Sequence, residues 1–93
     1  MHIFCLELHL ALPVFSLKEK RGIIKSIIGR SRNRFNVAAA EVDRQDNPRA
    51  AVLAFVAVSP DRQVARSVLE RLEDWIYENW PDVEITAAGI DEV

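Results

Sequence analysis

Ninety-three residues, 49% hydrophobic and 28% charged, with three glycines and four prolines, are enough for one globular domain over 1–93 and exclude a disordered or low-complexity chain. The single cysteine, Cys5, excludes an intramolecular disulfide framework. The formal net charge of −2 conceals a division. Residues 16–34 hold seven bases against one acid, a net of +6, while the rest carries five bases and thirteen acids, a net of −8. A basic segment set in an acidic body suits a polyanionic partner.

The run from Met1 to Val14 is apolar but is interrupted by His2, Glu7 and His9 and has no basic leader. It reads as neither a secretion signal nor a membrane span, so a cytoplasmic protein without membrane contact is expected. From His2 to Leu12 the residues alternate instead. Phe4, Leu6, Leu8, Leu10 and Leu12 share one face, and Ile3, Cys5, Glu7, His9 and Ala11 share the other. That is a strand half in the core, ended by Pro13.

Ser16-Leu-Lys-Glu19 has the spacing of a capping box and opens a helix expected to run to about Asn33. Leu17, Ile24, Ile27 and Ile28 form its apolar side, with Ile23 at the margin. Phe35–Asp43 reads as a second strand, the polar run 44–49 as a turn, and Ala50–Val58 as a third strand, together a hairpin. Ser59-Pro60-Asp61 then predicts a second helix, with Ser59 as cap and Pro60 at the first helical position. Val64, Val68, Leu72, Trp75 and Ile76 form its expected stripe, flanked by Ala65 and Leu69, and Pro81 stops it. A last strand spans Val83 to about Ala88.

The order β-α-β-β-α-β predicts an α+β, ferredoxin-like βαββαβ sandwich: a four-stranded antiparallel sheet with two helices on one face. The third strand is apolar on both sides, with Leu53 and Phe55 on one and Val52, Val56 and Val58 on the other. Apolar surface is therefore expected on the open sheet face. Large patches of that kind are seldom left bare, so a homodimeric interaction or small-ligand-binding domain using that face is one functional reading.

The basic helix supplies the leading reading. At about 100° per residue, Lys18, Arg21, Lys25 and Arg32 form a stripe beside the buried side, with Gly22 and Gly29 next to it toward solvent. A helical glycine costs about 1 kcal/mol relative to alanine, so a smooth strip flanked by cations suits the close approach of a phosphate backbone. With Arg30 and Arg34 assisting, these side chains are the expected nucleic-acid-binding residues. The open sheet face, carrying Glu7, His9 and Glu41 with Phe55 as the one candidate stacking platform, is poorly suited to the base stacking of RNA-recognition motifs. No GxxG loop is present.

Cys5, Glu7 and His9 share a strand face, with Glu41 or Asp43 as conceivable neighbours, but no CxxC or HxxxH spacing accompanies them and no metal is expected. Glu41, Asp43 and Asp46 cluster around the hairpin turn without a nucleophile or phosphate-cradling loop nearby. Neither catalytic residues nor a cofactor are expected. Trp75 reads as a core residue and Trp80 as a cover for the core's edge.

The runs Ser16-Leu-Lys-Glu-Lys-Arg21, Arg30-Ser-Arg-Asn-Arg-Phe-Asn-Val37 and Ala40-Glu-Val-Asp43, with Gln45-Asp46, together resemble the bacterial YlxP-like family of unknown function along essentially the whole chain. The resemblance implies a ferredoxin-like fold and a small cytoplasmic bacterial protein. It also implies a gene neighbourhood of transcription elongation, translation initiation and ribosome maturation. The expected function is a non-catalytic binding protein associating with structured RNA or the ribosome through its first helix.

Overall fold

A computed structural model describes residues 1–93 in the order β1 (His2–Ala11), α1 (Leu17–Arg34), β2 (Ala38–Asp43), β3 (Ala50–Ser59), α2 (Arg62–Asn79) and β4 (Glu84–Glu92). The sheet order is β2-β3-β1-β4, and every neighbouring pair is antiparallel. This is the ferredoxin-like α+β sandwich. No helix is long and apolar enough to cross a membrane.

The alternation in β1 sets the register. Phe4, Leu6 and Leu8 lie opposite Ala57, Phe55 and Leu53 of β3, and Leu6, Leu8 and Leu10 lie opposite Ile90, Ala88 and Ile85 of β4. The buried face of all three strands is thereby fixed, because a slip of one residue would reverse it. Against it α2 lays Ala65, Leu69, Leu72 and Ile76 and α1 lays Ile24 and Ile27.

Several boundaries and faces differ from the sequence reading. Phe35–Val37 do not enter β2: Phe35 caps α1, its amide bonding to Ser31 O. Its ring packs on Trp75 instead. The cap of α2 is Asp61, which accepts from the amides of Gln63 and Val64, while Ser59 Oγ accepts from Asp61 N. The buried stripe of α2 also differs, because packing on the sheet turns Ala65, Leu69, Leu72 and Ile76 inward: Ala65, not Val64, begins it, and Val64 is 50% exposed. Trp75 sits at the stripe's margin, half-buried. β4 continues to Glu92 because β1 offers it paired positions as far as Phe4.

Two corrections bear on function. Phe55 is 0% exposed and faces the helices, so it is no platform on the open face. Glu41 lies opposite Leu53 and so also turns to the helix side, where it meets Lys20.

Lys20 is the unexpected member of the interior, at 1% exposure. Its Nζ donates to Arg44 O at 2.5 Å and Asn47 O at 2.8 Å, and lies 2.9 Å from Glu41 Oε2, an ion pair without hydrogen-bond alignment. Arg44 adopts φ 64°, the left-handed region that costs a non-glycine residue about 1 kcal/mol or more. That turn aims two carbonyls of the loop at one ammonium. Removing one member of such a pair leaves desolvated groups unpartnered, at about 3–5 kcal/mol. Lys20→Met keeps the aliphatic stem and loses the charge. It is expected to lower unfolding stability by about 3 kcal/mol, since Glu41 is near enough to solvent to rehydrate, as read from the shift in denaturation midpoint.

Candidate functional site

The first turn of α1 is held by Ser16, whose Oγ accepts from Glu19 N at 3.2 Å. Glu19 Oε1 accepts in return from the Ser16 hydroxyl at 3.0 Å, not from its amide as the usual capping box would have it. The helix buries Lys20, Ile24, Ile27 and Ser31. Those four fix its rotation, and the side chains about half a turn away face solvent. Lys18, Arg21, Gly22, Lys25 and Gly29 are all exposed.

The six expected binding residues divide into three groups. Lys18, Arg21 and Lys25 make no hydrogen bond within the chain and have no carboxylate within 4.0 Å. Arg32 donates from Nη2 to Ala39 O of the edge strand β2 at 2.9 Å, and so ties the helix end to the sheet. Arg30 and Arg34 turn to the other flank, toward α2. Arg30 Cζ stands 4.7 Å from the Trp80 ring centre, and Arg34 Cζ stands 5.8 Å from that of Trp75. Arg32 and Arg34 also occupy the last turn, where cations complement the helix dipole. The stripe of four is real, but it is continuous and unengaged only from Lys18 to Lys25. Lys20, counted in the basic segment, is withdrawn from the surface altogether.

Gly22 and Gly29 lie in the middle of this surface. A Cβ added at either would meet nothing within 4 Å. No packing within the chain requires them.

The other candidates are dispersed. Glu41 pairs with Lys20, Asp43 Oδ1 accepts from Arg44 N in the turn, and Asp46 is exposed, so the acidic cluster of the sequence does not converge. On the open face Glu7 and His9 bond each other at 2.9 Å. Cys5, opposite Asp91, has its thiol pushed above the ordinary value by burial first and then by Glu7 and Asp91. It is held in the protonated, weakly nucleophilic form. Glu92 is held below the usual carboxylate range by hydrogen bonds from His2 and from Arg62. Its contribution is present above the ordinary carboxylate range and is lost as pH falls through the lowered value.

Sequence reasoning missed the union of Arg30 and Arg34 with the aromatic cluster. Their spacing of four placed them on one flank, but only the fold brings Trp75 and Trp80 beside it.

This architecture is that of a small ferredoxin-like α+β domain with an exposed basic face on its first helix. The chain belongs to the family described as "Protein of unknown function (DUF503)", which matches residues 3–90. It is 37% identical over 71 residues to the uncharacterized protein YlxP of Bacillus subtilis (strain 168), covering 76% of each chain. The solved structure of the de novo designed protein Foldit4 aligns with 98% of this chain and 96% of its own at a TM-score of 0.55 and 17% identity, a likeness of fold alone.

The glycines yield a stability prediction. Gly22→Ala and Gly29→Ala are each expected to stabilise the isolated protein by roughly 0.5–1 kcal/mol, read from thermal or denaturant midpoints. A loss of stability would mean that the helix needs glycine for its own packing.

Proposed function

We propose that this protein is a non-catalytic binding protein of the cytoplasm that docks on structured RNA, as found in the ribosome, through the solvent face of α1. The observation that carries the reading is the surface of Lys18, Arg21 and Lys25: three cations whose side chains have no intramolecular partner, beside two helical glycines at which a Cβ would meet nothing within 4 Å. Arg32, 14 residues beyond Lys18, extends the strip to about 21 Å at 1.5 Å per residue. Phosphates are neutralised along this strip without reading of base edges, so sequence preference is slight.

The test is co-sedimentation of the tagged protein with ribosomal particles at low and moderate salt. With about three phosphate contacts, affinity falls roughly 40-fold between 50 and 200 mM salt. The Lys18→Glu/Lys25→Glu double variant is the informative one, because reversing Arg32 would also break its bond to Ala39 O. Loss of association in that variant, with the fold intact by circular dichroism, supports the surface. Unchanged association removes it.

A second reading concerns the open sheet face. Ile3, Val56 and Val58 lie on it among Ala38, Ala40, Ala54 and Ala87, and Val58 is 58% exposed. Four strands about 4.8 Å apart and about 30 Å long give roughly 600 Å² of plane, near the 800 Å² or so per partner of a specific dimer. A second copy packed face to face would cover it. Light scattering is expected to show a dimer that Val58→Asp converts to monomer. A wild-type monomer at tens of micromolar would rule this pairing out.

A further inference from the structure

Beyond the cation strip, the C-terminal halves of α1 and α2 enclose an aromatic cluster. Phe35 and Trp75 meet edge-on with ring centres 5.5 Å apart, and Trp75 and Trp80 do so at 5.3 Å. All three rings are half-buried. Arg30 Cζ lies 5.6 Å from the centre of Trp75 and 4.7 Å from that of Trp80, and Arg34 Cζ lies 5.8 Å from Trp75 and 5.9 Å from Phe35.

Two adjoining shallow grooves open here. One, of about 330 Å³, is lined by Arg30, Asn33, Arg34 and Trp75. The other, of about 630 Å³, shares Arg34 and Trp75 and adds Phe35, Asn36, Asp74 and others from α2.

Cation–π packing between helices would explain the arginines if their guanidinium groups were used up by it. They are not. Neither Arg30 nor Arg34 donates a hydrogen bond within the chain, and neither has a carboxylate within 4.0 Å. Each therefore keeps its five N–H donors free while its guanidinium carbon stands within about 6 Å of two ring centres. Such groups are pre-organised to grip a phosphate. The floor beside them is aromatic, and indole rings and guanidinium planes are the surfaces on which unpaired bases stack. At the rim, the carboxamides of Asn33 and Asn36 and the carboxylate of Asp74 offer acceptors to an exocyclic amino group. From α2 the groove is also lined by Arg71 and Glu78, so that side carries both signs of charge. Arg30 and Asn33 lie one and four residues past Gly29, so the groove continues the glycine strip around the helix.

We propose that this groove takes one unpaired nucleotide of a structured RNA, an amino-bearing base such as adenine against Trp75 and the adjoining phosphate on Arg30 and Arg34. The inference rests on the docking reading above and adds to it a preference for helices interrupted by a bulged or unpaired residue.

The test uses the full chain and two fluorescein-labelled RNA hairpins, identical except that one carries a single unpaired adenosine. By anisotropy the bulged hairpin is expected to bind at least tenfold more tightly, the order of one stacked base. Trp75→Leu keeps an apolar filling and is expected to abolish that preference while leaving affinity for the perfect hairpin and its salt dependence unchanged. Trp80→Phe leaves Trp75 as the sole tryptophan, whose fluorescence should be quenched by the bulged hairpin and not by the perfect one, so the test does not depend on the folding of the Trp75 variant. Equal affinities without differential quenching overturn the nucleotide site and leave the docking face standing. So does a preference that survives Trp75→Leu. Binding of neither hairpin overturns the docking reading and the nucleotide site with it.

Discussion

The buried ammonium of Lys20 decides how α1 sits on the sheet. Three oxygen groups close on it: the carbonyls of Arg44 and Asn47 and the carboxylate of Glu41. A lone buried cation would be prohibitive in the interior, so the charge is tolerated only because the hairpin turn bends back to meet it. The turn is ordered in exchange, including the left-handed Arg44. The rest of the inner side of α1 is modest, chiefly Ile24, Ile27 and the small Ser31. The hydrogen bonds from the ammonium to the two turn carbonyls therefore supply the directional constraint that apolar packing, which is non-directional, does not. Lys18 and Lys20 are two residues and about 200° apart on the helix. One is locked inside, and the other is thereby turned to solvent.

The exposed side of α1 is poorly arranged for the stability of an isolated domain. Lys18 and Arg21, three apart, and Arg21 and Lys25, four apart, are like-charged neighbours, each costing a few tenths of a kcal/mol. The two glycines add about 1 kcal/mol each. Against these stand the Ser16–Glu19 cap and the complement of Arg32 and Arg34 to the helix dipole. These penalties have no reason within the chain, and the anionic partner proposed above would offset them by neutralising the repulsion.

The molecule presents unlike surfaces on its sides. Acidic residues gather where α2 meets β4, around Glu73, Asp74, Asp82 and Glu84. The open sheet face is apolar and small-residued around the Glu7–His9 pair. The α1 face is cationic, and the cluster of Trp75 and Trp80 lies between it and the acidic side. For the polyanionic partner proposed above, this charge division would favour approach from the α1 side.

Local patterns in the sequence determined the elements and their order. The strict alternation of β1, the Ser16–Glu19 spacing and the short polar run between β2 and β3 are governed by interactions among near neighbours, and they led to the ferredoxin-like sandwich. The outward stripe of α1 was legible for the same reason, since helical periodicity is local. What only the tertiary structure decided are matters of pairing across the chain. The facing of Phe55 and Glu41 depends on register with β1 and β3. The cap of α2 is Asp61 and not Ser59, and packing on the sheet selects Ala65 over Val64 as the start of its buried stripe. Lys20 read as one cation among seven because its partners lie 21 to 27 residues away. Arg30 and Arg34 read as helpers in a charge run, because the rings that hold them come from another helix. Charge and periodicity can be read along a chain, but burial and partnership arise only when distant segments meet.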